Sequence, residues 1–203
     1  MKKLIKVTTL LGAAVLGLST AGVGVANAAT INDDNVSGTS KADVSLTQDE
    51  SNSSIKLTKA PDIHFAEQKI TGSAQKALPA DSIDAMLEVV NPGLISGWNV
   101  VVNASPFTSA DGKQTLTGAQ LSLANGSISS DTDVTDGVSQ HDLTPLGTDD
   151  ALIFDAAASK GIGTWDLTHD KSNATLDIPS GAVAGDYAST LTWTLVNAPS
   201  GQE

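Results

Sequence analysis

Apolar and polar residues alternate with a period of two through much of this chain, most cleanly near the C-terminus. From Tyr187 to Leu195, the residues Tyr187, Leu191, Trp193 and Leu195 fall on one face, and Ala188, Thr190, Thr192 and Thr194 on the other. Bounded by Gly185 and Pro199, the stretch predicts one long strand with a single buried face. Ser96–Asn103 has the same character and groups Trp98, Val100 and Val102 together.

Weaker alternation continues upstream and between these two. Lys41–Leu46 and Ser54–Lys59, separated by Gln48–Asn52, predict a hairpin-like pair of strands. Ile63–Ile70, Met86–Val90, Thr115–Leu123, Ala151–Ala156, Gly163–Thr168 and Ala174–Pro179 predict further strands, with Asn91-Pro92-Gly93 and Asn125-Gly126 as turns. Ala74–Ala85 reads as a helical turn or a loop, and Pro79 argues against a long helix there. Ser127–Asp150 is polar and acidic, the most loop-like region. No stretch has convincing helical amphipathicity. The pattern predicts an all-β protein: a single antiparallel β-sandwich domain, of Ig-like or Greek-key type, with long polar loops.

The first 28 residues stand apart. Lys2, Lys3 and Lys6 precede the apolar run Leu10–Leu18, and Ala26-Asn27-Ala28 is a small-x-small cleavage site. These are the parts of a secretory signal peptide. The run is shorter than the ~20 apolar residues a membrane span needs. The expected organisation is a signal peptide over 1–28, a flexible tail over 29–36 and one β-sandwich domain over 37–203.

Composition narrows the function. The chain carries 11 Lys and Arg against 23 acids, a formal net charge of −12, and Arg is absent. Removing the signal peptide takes away three Lys and no acid, leaving 8 − 23 = −15. Such a surface repels nucleic acid and anionic lipid, so neither is expected as a partner. There are no cysteines, hence no disulfides and no thiol for a lipid anchor, which suits a bacterial exterior. Only Ser200-Gly201-Gln202-Glu203 follow Pro199, too little for a sorting signal. The expectation is a secreted protein that stays at the cell surface by binding.

Catalytic patterns are missing. His64, His141 and His169 are dispersed, without the i, i+4 spacing of a zinc site. There is no G-x-S-x-G and no phosphate loop ending in Gly-Lys-Ser/Thr. Asp131–Asp142 resembles a calcium loop, but Thr135 occupies position 5, Gly137 comes one place late and Asp142 replaces the Glu at position 12. It reads as a solvated acidic loop. No catalytic residue, metal or cofactor is expected, and the protein is not expected to be an enzyme.

That leaves the tryptophans. Burying one removes ~150–250 Å² of surface, so a core anchor is the ordinary role, and a stacking platform for sugar rings the alternative. Trp193-Thr194-Leu195, within Gly185–Leu195 and closing on Ala198-Pro199, resembles the distal motif of the WxL-domain surface proteins of low-GC Gram-positive bacteria. Trp98-Asn99-Val100, followed by Pro106-Phe107 and Leu116–Leu123, is similar to their proximal motif, and Ala60–Phe65 to their opening strand. Val100 stands where the motif has Leu, and Ala66 where the family usually has Gly. A bare W-x-L is not specific, so Trp165-Asp166-Leu167 is set aside as a chance copy.

The resemblance covers roughly residues 37 to 199. It implies noncovalent attachment to the cell wall through peptidoglycan, alongside other wall proteins. It also implies that Trp98, Asn99, Val100, Trp193, Thr194 and Leu195 bind the ligand, with the two tryptophans close together. The competing class is a protein-interaction module that docks another surface protein by strand addition, or an adhesin for host matrix.

Overall fold

Twelve strands carry the alternation in the computed structural model, which describes residues 30–31, 36–40, 42–132 and 137–197. In chain order they are β1 (Lys56–Lys59), β2 (Gln75–Pro79), β3 (Leu87–Asn91), β4 (Trp98–Ala104), β5 (Gln120–Leu123), β6 (Ser127–Ser130), β7 (Val138–Gln140), β8 (Leu143–Leu146), β9 (Ala151–Ala156), β10 (Gly163–Thr168), β11 (Ala174–Ile178) and β12 (Leu191–Asn197). They form three four-stranded sheets ordered β8-β5-β11-β2, β6-β10-β3-β1 and β7-β9-β4-β12. Every pairing is antiparallel. Short two-residue pairs join Ile63–His64 to Ser82–Ile83 and Thr108–Ser109 to Tyr187–Ala188. The helical content among the described residues is two short 3-10 turns, Glu50–Asn52 and Lys171–Asn173. The chain is therefore all-β, antiparallel and sandwich-like, as the alternation predicted.

All of these strands lie in one compact unit within Thr47–Glu203. A second unit, within Met1–Leu46, contains the antiparallel pair Thr30–Ile31 and Gly38–Thr39. The proposed signal peptide lies outside the described residues.

One hydrophobic cluster draws on all three sheets, including Leu87, Val89, Trp98, Val100, Val102, Leu121, Leu123, Phe154, Trp165 and Leu167. Along β4 burial alternates strictly, with Trp98, Val100, Val102 and Ala104 inward. β9 departs from that rule, because Ile153 and Phe154 are consecutive and both fully buried. A register shift between Leu152 and Phe154 against β4 allows it, since a bulge turns two neighbours toward the same side.

Several sequence expectations are corrected: Ile63–Ile70 forms a strand only over Ile63–His64, and Thr115–Leu123 only over Gln120–Leu123. No strand forms over Ala42–Leu46, where Val44 and Leu46 are 83% and 89% exposed, and Lys41 lies outside the described residues. Alternation there meets no partner backbone, and a strand is held by its ladder; β1 pairs instead with β3. Ala74–Ala85 is extended, forming β2 and Ser82–Ile83, with Pro79 on an outer strand where a missing N–H is tolerated. Ser127–Asp150 contains β6, β7 and β8. These strands bury only Val138, Leu143 and Leu146, with Ile128 half-buried, so their polar majority hid them. The stretch Tyr187–Leu195 is broken at Ser189-Thr190. Its first part pairs with Thr108–Ser109 and its second with β4.

Candidate functional site: the cleft over Trp193

The two tryptophan motifs lie on neighbouring strands. β4 and β12 pair without a register shift, so Leu191 stands opposite Ala104, Trp193 opposite Val102, Leu195 opposite Val100 and Asn197 opposite Trp98. Opposed residues share a face, so Trp98, Val100, Trp193 and Leu195 all belong to the inward side. Asn99 and Thr194 belong to the outward side, Asn99 opposite Val196 and Thr194 opposite Val101. The sequence-predicted set is thus brought together on one strand pair but divided between its two faces. The tryptophans themselves are four ladder positions apart.

Their surroundings differ. Trp98 is fully buried: its Nε1 donates to Gly161 O at 2.9 Å, and its ring meets Phe154 edge-on, centroids 4.9 Å apart. Gly161 has φ +64°, and a Cβ there would sit 2.6 Å from Trp98 Nε1 and 2.3 Å from the Ala156 Cβ. Only glycine admits both the backbone conformation and the indole. Val100 has no exposed surface either. Trp193 and Leu195 are half-buried, packing against the same cluster from the side where their sheet ends.

Beside Trp193 the interior opens into a cleft of about 1340 Å³. This exceeds the ~300–1,000 Å³ of usual small-molecule sites and suits a polymer segment. Trp193 is the tryptophan that lines it. Leu191 of β12, Leu121 of β5, and Leu176 and Ile178 of β11 surround it, with Phe107 and Leu116 from the intervening loop. One wall is Ala60–Ser73, carrying Ile63 and Phe65; the other is Gly181–Thr190. The opening-strand residues Ala60–Phe65 and the residues leading into the distal motif therefore line one depression.

Local hydrogen bonds set both walls. Asp81 N donates to His64 O at 2.7 Å and Asp84 N to Asp62 O at 3.1 Å, fixing the first. The second is tied to the end of β4 through Ser105. Ser105 N donates to Thr190 O at 2.9 Å, Thr190 N to Ser105 Oγ at 2.8 Å, and Ser189 Oγ to Ser105 O at 2.5 Å. This clamp interrupts the C-terminal strand and turns Gly181–Ala188 over the cleft. Tyr187 Oη lies 3.0 Å from Val183 O and 2.9 Å from Gln114 Oε1, which braces the turn. Sequence reading missed this wall, because one continuous alternating run concealed the break; Ser105 and Ser189 were the available signal.

The lining is mostly apolar, with Asp62, Glu67 and Asp186 against one ammonium, Lys69. Such a surface can enclose apolar groups, stack a ring on indole or phenyl, and hydrogen-bond through main chain and hydroxyls at its rim.

The remaining candidates resolve into structure. Trp165 and Leu167 are core residues of β10, and Trp165 Nε1 donates to Ile162 O at 3.0 Å. Between them Asp166 faces outward opposite Glu88. Burial, reinforced by the Glu88 charge, holds the Asp166 carboxyl above its ordinary range. A hydrogen bond from Lys59, 2.6 Å away, and another from Thr58 hold Glu88 below its own. His64 and His141 contact Asp84 and Asp155 at 3.2 Å and 2.6 Å, while His169 is buried. Among the described residues no group of three His, Asp or Glu is placed to hold a metal. Residues 133–136 of the acidic loop lie outside that set.

A family model described as WxL domain, surface cell wall-binding, matches residues 31–199. No curated protein and no solved structure matches the chain.

Proposed function

The chain belongs to the WxL family of surface cell wall-binding domains, and from that premise we propose that, secreted and freed of its signal peptide, it is held noncovalently at the wall by peptidoglycan seated in the cleft over Trp193. The observation that carries this reading is the cleft itself. It is the place where the distal motif meets the opening strand, and Trp193 offers a half-buried aromatic surface there.

The six motif residues divide their work in this account. Trp193 touches the ligand, with Leu195 supporting it from the next inward position. Trp98 and Val100 have no surface to offer and act by anchoring β4, against which β12 is laid. Asn99 and Thr194 face the other way and take no part in the cleft. Binding is an adhesive role without bond-making chemistry. Contacts are apolar, stacking and hydrogen-bonding, because an acidic protein gains nothing from bulk electrostatics at an anionic wall.

The test is sedimentation of residues 29–203 with purified, protein-free peptidoglycan. Retention that Trp193→Ala abolishes, without loss of the fold, supports the reading. Retention only by walls that still carry protein overturns it in favour of a protein receptor.

A further inference from the structure

The six outer strands of the three sheets are finished in different ways. β1 carries Lys56 and Lys59 and a register shift. β2 carries Lys76, Pro79, a register shift and Ala77 at φ +51°. β8 contains Pro145, β7 is three residues long and β6 four. Lysines, prolines, bulges and shortness are the devices by which sheet edges avoid pairing with other chains.

β12 has none of them. It runs seven residues in unbroken register with β4, without a charge, a proline or a shift. Among the described residues no backbone hydrogen bond leaves it on the side away from β4, although β1 passes near. Its inward residues Leu191, Trp193 and Leu195 remain half-exposed, and outward Val196 is 39% exposed. The charge distribution marks the same place. There is no charged residue between Glu88 and Asp111, nor between Asp186 and Glu203, in a chain of net charge −12. β4 and β12 together form a neutral strip.

We propose that β12 is the pairing edge of a homodimer. The β12 strands of two copies run antiparallel about Thr194 and convert two four-stranded sheets into one of eight strands. Thr194 then faces its own counterpart, while Thr192 faces Val196 of the partner subunit and Trp193 faces Leu195 of the partner subunit. Inward residues meet inward residues throughout, because the alternation is symmetric about Thr194. Charge selects the occupant. Two copies of this acidic protein repel wherever their acidic faces meet, and the neutral strip lets them approach without like charges opposed. The dimer carries two clefts on one particle, and the second engagement with a polymeric wall becomes intramolecular. The pairing itself does not depend on what the cleft binds.

The chain has no cysteine, so single-cysteine variants report the register directly. Cβ atoms of directly opposed residues are about 4.5–5.5 Å apart, so Thr194→Cys should form an intermolecular disulfide under mild oxidation. Thr192→Cys and Val196→Cys should cross-link poorly alone and readily when mixed. Ser139→Cys, exposed on the far outer strand of the same sheet, sets the background. Sedimentation should show a dimer of residues 29–203, which Thr194→Lys converts to monomer by placing like charges opposite each other. A monomer at every soluble concentration, a dimer untouched by Thr194→Lys, or Thr194→Cys cross-linking no faster than Ser139→Cys overturns the proposal.

Discussion

Trp98 and Trp193 face the same side of two hydrogen-bonded strands, yet Trp98 stands opposite Asn197 and Trp193 opposite Val102, about 14 Å apart along the ladder at ~3.4 Å per residue. One is sealed in the core and the other borders the cleft. The two motifs share one strand pair with unequal ends: the proximal tryptophan is buried, and the distal one lines the cleft.

Alanine substitutions separate these roles. Trp98→Ala removes a fully buried indole with its hydrogen bond to Gly161 O, and should cost ~3–5 kcal/mol of stability. Trp193→Ala should cost less than half of that while abolishing wall retention. Denaturant unfolding beside the sedimentation assay reads both quantities.

Gly161→Ala should destabilise the fold through the same indole. The new methyl group meets Trp98 Nε1 and Ala156 in a backbone conformation that alanine resists. The expected loss is about 1–3 kcal/mol, measured as a lower denaturant midpoint. An unchanged midpoint would mean that the Trp98 pocket is looser than described.

Ser105→Ala removes the hydroxyl that holds Thr190 N and leaves the main-chain bond from Ser105 to Thr190 in place. One hydrogen bond is worth about 0.5–1.5 kcal/mol, so the fold should survive. The Gly181–Thr190 wall loses its tether, and retention should fall by more than the stability change suggests. Proteolysis within 181–190 should quicken in the same variant.

Acid should weaken the fold through His169. Burial holds its imidazole below the ordinary range, with Asp142 acting in the opposite sense. Its pKa is lower folded than unfolded, so folding favours the neutral ring. That contribution is complete above the unfolded value of ~6.5 and is lost as pH falls through the folded value. Asp166 works oppositely, since its raised carboxyl pKa penalises the fold at neutral pH and relents on acidification towards ~3.8. Between pH 7.5 and 5.5 the unfolding midpoint should drop, and drop less in His169→Leu. Asp166→Asn should stabilise at pH 7 and lose that advantage near pH 4. A wild-type midpoint that is flat across pH 7.5 to 5.5 would remove His169 from this role.

How much of this was legible in the sequence follows from what alternation encodes. Trp98, Val100 and Val102 were grouped correctly because a strict period of two with β-branched residues leaves one choice of face. β6, β7 and β8 were missed because an outer strand needs few apolar residues, and Ile128, Val138, Leu143 and Leu146 are spread among Ser, Asp and Thr. The converse error fell on Val44 and Leu46, whose pattern is strand-like but which have no ladder. The motif residues stand out by their pattern, yet their division between buried, cleft-lining and outward positions depends on register. Register is a property of two strands, and no single stretch states it. The cleft wall escaped for a related reason, since Ser105 acts on Ser189 and Thr190 from 84 and 85 residues away.

The most direct test is retention of residues 29–203 on protein-free peptidoglycan from low to high salt, for the wild type and Trp193→Ala side by side. At ~0.15 M salt the screening length is about 8 Å, so added salt mainly removes repulsion between an acidic protein and an anionic surface. The account predicts wild-type retention that holds or rises with salt, and a folded Trp193→Ala protein that is not retained at any salt. Steep release of the wild type by moderate salt, or full retention of Trp193→Ala, would contradict it.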